Sequence, residues 1–180
     1  MRVVSWNLAF RGPEAAKPQG DLLCKLAPDL MLLQELNPNS SAVLKKAAGA
    51  NWMIEAVDLR APKPGDPPAL WHGVAIAGHG LPPSRSWLLD DIHLSDKILV
   101  IETQTNGTPF IAVSYHAPPG VRHGIVKPRQ AVAFAAWLSK QNGPLLFGAD
   151  ANTTLIDAFD FANTRTHWHT GRPKLKGKPV

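Results

Sequence analysis

The sequence predicts an α/β fold containing mixed strand pairing, and three observations carry that expectation. Short apolar runs that stop abruptly at polar groups, Leu30-Met31-Leu32-Leu33 and Leu145-Leu146-Phe147, read as buried strands. Behind Pro128, the residues Ala131, Phe134, Ala135 and Leu138 repeat at i, i+3, i+4 and i+7, the stripe of a helix that packs on a sheet. Asn106-Gly107 between two apolar runs is the strongest short-range hairpin signal, so at least one strand pair is antiparallel.

In chain order, Val3-Val4-Ser5-Trp6-Asn7-Leu8 is a first strand, central and buried. Arg11 to Gly20 holds Pro13, Pro18 and two Gly and reads as loop or broken helix. Asp21 then caps a short helix carrying Leu22, Leu23 and Leu26, which Pro28 prevents from continuing. Leu30 to Glu35 is the second strand. Ser40 or Ser41 caps a helix through Val43, Leu44, Ala47 and Ala48, with Gly49 at its C-terminal end. Trp52 to Val57 is a third strand. Arg60 to Pro68 is too rich in Pro and Gly for regular structure and reads as an exposed loop, and His72 to Ala77 resumes as a strand of the same sheet. Lys97–Thr103 and Thr108–Tyr115 form the hairpin, and the Pro128 helix leads into the strand and turn from Leu145 to Asn152. Thr164 to Val180 is a polar, basic tail or a segment severed from its packing partner. The expected division is therefore a domain over 1–163 and a tail over 164–180.

At 180 residues the chain suits one domain able to bury a substantial core. Hydrophobic content of 44% against 18% charged residues argues against wholesale disorder. A net charge of +5 favours polyanionic partners such as nucleic acid or phosphorylated ligands. The single Cys24 rules out an internal disulfide and suits a reducing compartment. A strand begins at Arg2, leaving no room for an apolar signal core, and no run approaches the ~18 apolar residues of a membrane span. The expected location is cytoplasmic.

Polar groups recur at the strand ends. Asn7, Glu35, His116, Asp150 and Asn152 each close an apolar run, where a rigid strand fixes a side chain and a loop leaves it exposed. Taken singly, each has a plainer reading: a turn amide, a surface glutamate, a structural histidine, an Asx turn. If the strands lie side by side, however, their ends converge on one cleft. A carboxylate with amide oxygens suits Mg²⁺ or Mn²⁺, hard cations that keep several waters. Such an ion beside an activated water is what phosphate-ester hydrolysis needs. His72 and His79 border a strand as loop histidines. His167 and His169 lack the Cys or carboxylate companions of a zinc site.

Ser5-Trp6-Asn7, Asp29 to Glu35, His72 to Ile76, Ser114-Tyr115-His116-Ala117-Pro118 and Gly148 to Asn152 together resemble the successive motifs of the endonuclease/exonuclease/phosphatase family. The resemblance runs from about residue 2 to 153. It implies a four-layer α/β sandwich, two mixed β-sheets packed face to face with helices outside. It also implies a Mg²⁺-dependent (or Mn²⁺-dependent) phosphoric ester hydrolase. Glu35 would be the principal metal ligand with Asn7 beside it, and Asp150 and Asn152 would orient or deprotonate the attacking water. Asn152 would also hold the phosphate, and His116 would donate to a phosphate oxygen or the leaving group. The positive charge favours a nuclease; a phosphomonoesterase or lipid phosphodiesterase is the alternative. The family's closing Ser-Asp-His motif has no match between Asn163 and Val180. The chain is accordingly read as truncated, and a phosphate-binding module that has lost its base is a further reading.

Overall fold

The computed structural model describes residues 1–60, 73–80, 82–89, 92, 94–118 and 125–152, with the backbone alone of 174–175 and 178–179. Two compact units emerge, one formed by Met1–His116 with Gln141–Asp150, the other by Ala117–Lys140 with Ala151–Val180.

The first unit holds two four-stranded mixed sheets. One contains β1 (Val3–Asn7), β2 (Leu30–Leu36), β3 (Trp52–Glu55) and β4 (Gly73–Gly78) in the order β1-β2-β4-β3. The other contains β5 (Arg85–Leu88), β6 (Ile98–Thr105), β7 (Thr108–His116) and β8 (Leu145–Asp150) in sequence order. β1–β2 and β7–β8 are parallel; the remaining pairs are antiparallel. The pleat of β2 divides its apolar run between two cores. Leu30 and Leu32 join Val74 and Ile76 against Leu99, Ile101 and Ala112 of the second sheet. Met31 and Leu33 face the other way, onto Leu23 of α1 (Pro13–Leu26) and Leu44 of α2 (Ser41–Ala48). Burial on both faces explains why four consecutive apolar residues were needed there. The expected hairpin is present: Asn106 (φ 49°) and Gly107 (φ 77°) both lie in the left-handed region, as a two-residue type I′ turn requires.

Several local expectations are corrected. β1, expected to be central and buried, is an edge strand of its sheet among the described residues and is only partly buried. α1 begins at Pro13 rather than Asp21, so most of the stretch read as loop or broken helix is continuous helix. Pro13 occupies the first turn, where its missing N–H costs nothing. Pro18 lies inside the helix, a local cost that tertiary packing overrides. Gly20 supplies that packing: a Cβ there would lie 2.5 Å from Ala47 Cβ of α2. Asp21 pairs with Lys17 Nζ at 2.8 Å instead of capping. Neither serine caps α2, since Ser40 Oγ donates to the Arg11 carbonyl (2.8 Å) and Ser41 Oγ to Glu55. Gly49 does close α2, at φ 69°. β3 ends at Glu55, and the residues expected to extend it form the short helix α3 (Ala56–Leu59). β5, which carries no alternation signal, was not anticipated.

The second unit contains α4 (Val126–Leu138), the helix expected behind Pro128, and a two-residue antiparallel ladder of β9 (Lys174–Leu175) and β10 (Lys178–Pro179). Of the predicted stripe Phe134 is buried, but Ala131 and Ala135 are exposed. The buried line runs instead through Gln130 and Phe134, one turn apart.

Candidate active site

Strand direction gathers four of the five candidate residues. β1 and β2 are parallel with Asn7 opposite Gln34, so Asn7 and Glu35 leave the first sheet at the same edge. β7 and β8 are parallel with His116 directly opposite Asp150, the last residues of their strands. His116 Nε2 stands 3.4 Å from Glu35 Oε1 and 3.8 Å from Asp150 Oδ2. Glu35, His116 and Asp150 each offer a ligand atom, all within 4.8 Å of one another. The imidazole is buried, while each carboxylate side chain is about a quarter exposed. Asn7 completes the group: its Nδ2 donates to Asp150 Oδ2 at 2.5 Å. The orientation of that amide is fixed, because Asn7 Oδ1 accepts from the Ala9 N–H at 2.7 Å.

Glu35 owes its position to an irregularity. Between Leu33 and Leu36 the pairing with β4 shifts by one residue, and Glu35 adopts φ 51°. A bulge with a left-handed residue turns a side chain that strict alternation would aim elsewhere. Gln34, almost fully buried, fastens the bulge from behind. Its Nε2 donates to Leu32 O and to Ser114 Oγ (both 3.1 Å), with Ser5 Oγ at 3.4 Å, and Ser114 Oγ donates to Leu33 O at 2.8 Å. This polar clamp joins both sheets directly beneath the carboxylates. Gly148 permits the approach, since a Cβ there would stand 2.6 Å from Ser5 Cβ and 2.9 Å from Leu32 Cδ1.

Sequence reasoning missed Lys97. It precedes β6, and the antiparallel register that sets Ile98 opposite Tyr115 brings Lys97 to the edge where His116 ends β7. Burial lowers its ammonium pKa, the Asp96 and Glu35 carboxylates act in the opposite sense, and Arg60 lowers it further. Arg60 in turn pairs with Asp96 at 3.4 Å, both side chains largely buried. Antiparallel pairing brings the residue before one apolar run to the edge where its neighbour's run ends, and Lys97 is such a residue. Tyr115, beside His116, is no candidate base: burial pushes its phenol up to about 12.

Asn152 belongs to the second unit, where its Nδ2 donates to Ala117 O at 2.8 Å and its carbonyl accepts from Lys127 Nζ. Arg129 is exposed on α4. His79 follows β4 at the edge opposite Glu35. His72, His167, His169 and the loop after Arg60 lie outside the described residues.

Two half-buried carboxylates and an imidazole converging at this spacing fit a divalent cation. A family profile described as "Endonuclease/Exonuclease/phosphatase family" matches residues 4–175. The chain belongs to the endonuclease/exonuclease/phosphatase family. Its two face-packed mixed sheets are those of this family's α/β sandwich, and solved structures agree. A humanized D. rerio TDP2 carrying 14 mutations is similar at TM-score 0.62 and 16% identity, over 90% of this chain and 66% of that one. D. rerio TDP2 complexed with a single-strand DNA product gives TM-score 0.63 and 17% identity, over 86% and 61%. A Staphylococcus aureus beta toxin mutant with bound magnesium ions gives 0.57 and 15%, over 86% and 65%. This endonuclease/exonuclease/phosphatase chain thus spans less than two thirds of these structures' own lengths. No curated protein matches it. No helix among the described residues is long and apolar enough to cross a membrane.

Proposed function

We propose that this chain hydrolyses phosphodiesters of nucleic acid with a divalent cation held at the Glu35 edge. The convergence of Glu35, His116 and Asp150 within 4.8 Å carries the reading. The positive net charge and the similarity to a TDP2 complexed with single-strand DNA product support the choice of nucleic acid. Glu35 would hold Mg²⁺ or Mn²⁺, with the second lone pair of Asn7 Oδ1 available beside it. Once bound, the ion would supply Lewis-acid polarisation of a phosphoryl oxygen and lower the pKa of a coordinated water. The other steps fall to side chains. Asp150, kept in place by the Asn7 amide, accepts a proton from the attacking water. His116, buried against both carboxylates, donates to a phosphate oxygen or to the departing oxygen.

Turnover of a fluorescent single-stranded oligonucleotide and of bis-p-nitrophenyl phosphate tests this. Activity should require Mg²⁺ or Mn²⁺ and vanish with chelator. Glu35→Gln should weaken metal dependence most, and His116→Ala should cost roughly 10²–10⁴-fold in kcat. Hydrolysis indifferent to chelation and to Glu35→Gln would overturn the mechanism. Metal-dependent oligonucleotide binding without turnover would instead establish a phosphate-binding module.

A further inference from the structure

We propose that the edge of the sheets opposite Glu35 carries a second site, one that binds an adenine ring. The strand registers define that edge. Leu30 opens β2 opposite Val3, Gly78 closes β4 between Leu30 and Trp52, and Asn106 turns β6 into the strand that ends at His116. A cavity of about 290 Å³ lies there, within the first unit. Leu30 and Trp52 of the first sheet and Phe110 of the second line it, and all three belong to the core between the sheets. Asp29, Gln104 and Asn106, all exposed, line it as well. An apolar, partly aromatic floor with a few polar groups is the usual build of a small-molecule site, and this volume, near the lower end for such sites, suits a single base.

The lining holds a donor without an acceptor. Trp52 is 9% exposed, and its buried Nε1–H has no hydrogen-bond partner among the described residues. A buried indole N–H usually has one, and leaving it unpaired costs stability. The ring cannot easily turn to find a partner, because it lies close against Gly78, where a Cβ would stand 2.6 Å from Cζ2 and 3.0 Å from Cε2. A ligand with a ring nitrogen as acceptor satisfies this group. Asp29 asks for the opposite. Its Oδ2 accepts from the Arg2 N–H at 2.5 Å and stands 3.9 Å from the Met1 amine, while Oδ1 accepts from no described residue. A carboxylate only accepts, so it selects an amino group over a carbonyl. Gln104 and Asn106 carry amides, the groups that pair with the amino group and ring nitrogen of adenine together. None of these residues takes part in the hydrolytic reading, so the proposal does not depend on it.

Titration with adenosine, followed by calorimetry and by the ¹H–¹⁵N indole spectrum, tests the proposal without any activity measurement. Adenosine should move the Trp52 Nε1–H resonance, identified by its loss in Trp52→Phe. Inosine, which has a carbonyl in place of the amino group, should bind at least ~10-fold more weakly, and so should adenosine to Gln104→Ala. Should Trp52→Phe fail to fold, nuclear Overhauser contacts from adenosine to the indole identify the resonance in the unmodified chain. AMP and an oligo(dA) strand separate the sources of the ring: a Trp52 shift with AMP alone indicates a free nucleotide, and one with oligo(dA) a base of a strand, each in support of the site. No binding at millimolar adenosine, an unmoved Trp52 resonance at saturation, or equal affinity for inosine would overturn the proposal. Adenosine binding lost in Glu35→Gln would also overturn it, by moving the ligand to the opposite edge. An adenosine-dependent Trp52 shift in a chain inert toward phosphodiesters would defeat the functional reading and leave this site standing.

Discussion

Gln34 shows how one buried amide can govern a carboxylate beside it. Its Nε2 feeds Ser114 and Leu32 while Ser114 ties Leu33, so the backbone entering the Glu35 bulge is held at two points. Gln34→Leu should remove the donor to Leu32 O and Ser114 Oγ and cost about 1–3 kcal/mol in urea denaturation. It should also weaken Mn²⁺ binding by roughly 10-fold, as loss of outer support for a metal ligand does. An unchanged Mn²⁺ affinity would reduce Gln34 to a packing element. At this scale the sequence was informative wherever a polar residue interrupted apolar ones: Asn7, Glu35, His116 and Asp150 stood out and do converge. Gln34 and Ser114 were legible only as members of motifs; that they clamp one another shows once two sheets are stacked.

Elements were legible where burial on two faces forced long apolar runs, and obscure where packing outvoted local preference. α1 keeps its interior Pro18 because the helix packs through Gly20 on α2, a relation between positions 20 and 47 that local propensity cannot express. The change from β3 to α3 at Glu55 also has a tertiary cause. Ser41 of α2 donates to the Glu55 carboxylate, fixing where the strand stops. Burial raises the Glu55 pKa above 4.5, the Ser41 hydrogen bond opposes that shift, and Asp58 adds to it. The folded chain therefore retains a proton that the unfolded chain releases. Stability from this group is greatest at low pH and declines as pH rises from 4.5 through the raised value. Glu55→Gln, which still accepts from Ser41, should flatten that part of the Tm profile and melt higher than the parent at pH 7. Parallel profiles would show that Glu55 is not the group responsible.

For the molecule as a whole, the order β1-β2-β4-β3 was beyond sequence patterning, which reveals strands but not neighbours. β8 ends the second sheet among the described residues, and Phe147 on it is 50% exposed. An apolar side chain on an edge strand favours pairing with another copy. Sedimentation of the 180-residue chain should reveal concentration-dependent association that Phe147→Lys suppresses, with little change in Tm. A chain monomeric at high concentration would exclude β8 as a sticky edge.

The hydrogen bond between Asn7 and Asp150 joins residues 143 positions apart. At synthesis rates of about 5–20 residues per second, Asn7 and Glu35 leave the ribosome on the order of ten seconds before Asp150. Contacts so distant in sequence also form late in folding. A product that ends before β8 therefore displays the Glu35 carboxylate without Asp150 beside it. Glu35, His116 and Asp150 meet only once the polypeptide is made as far as β8.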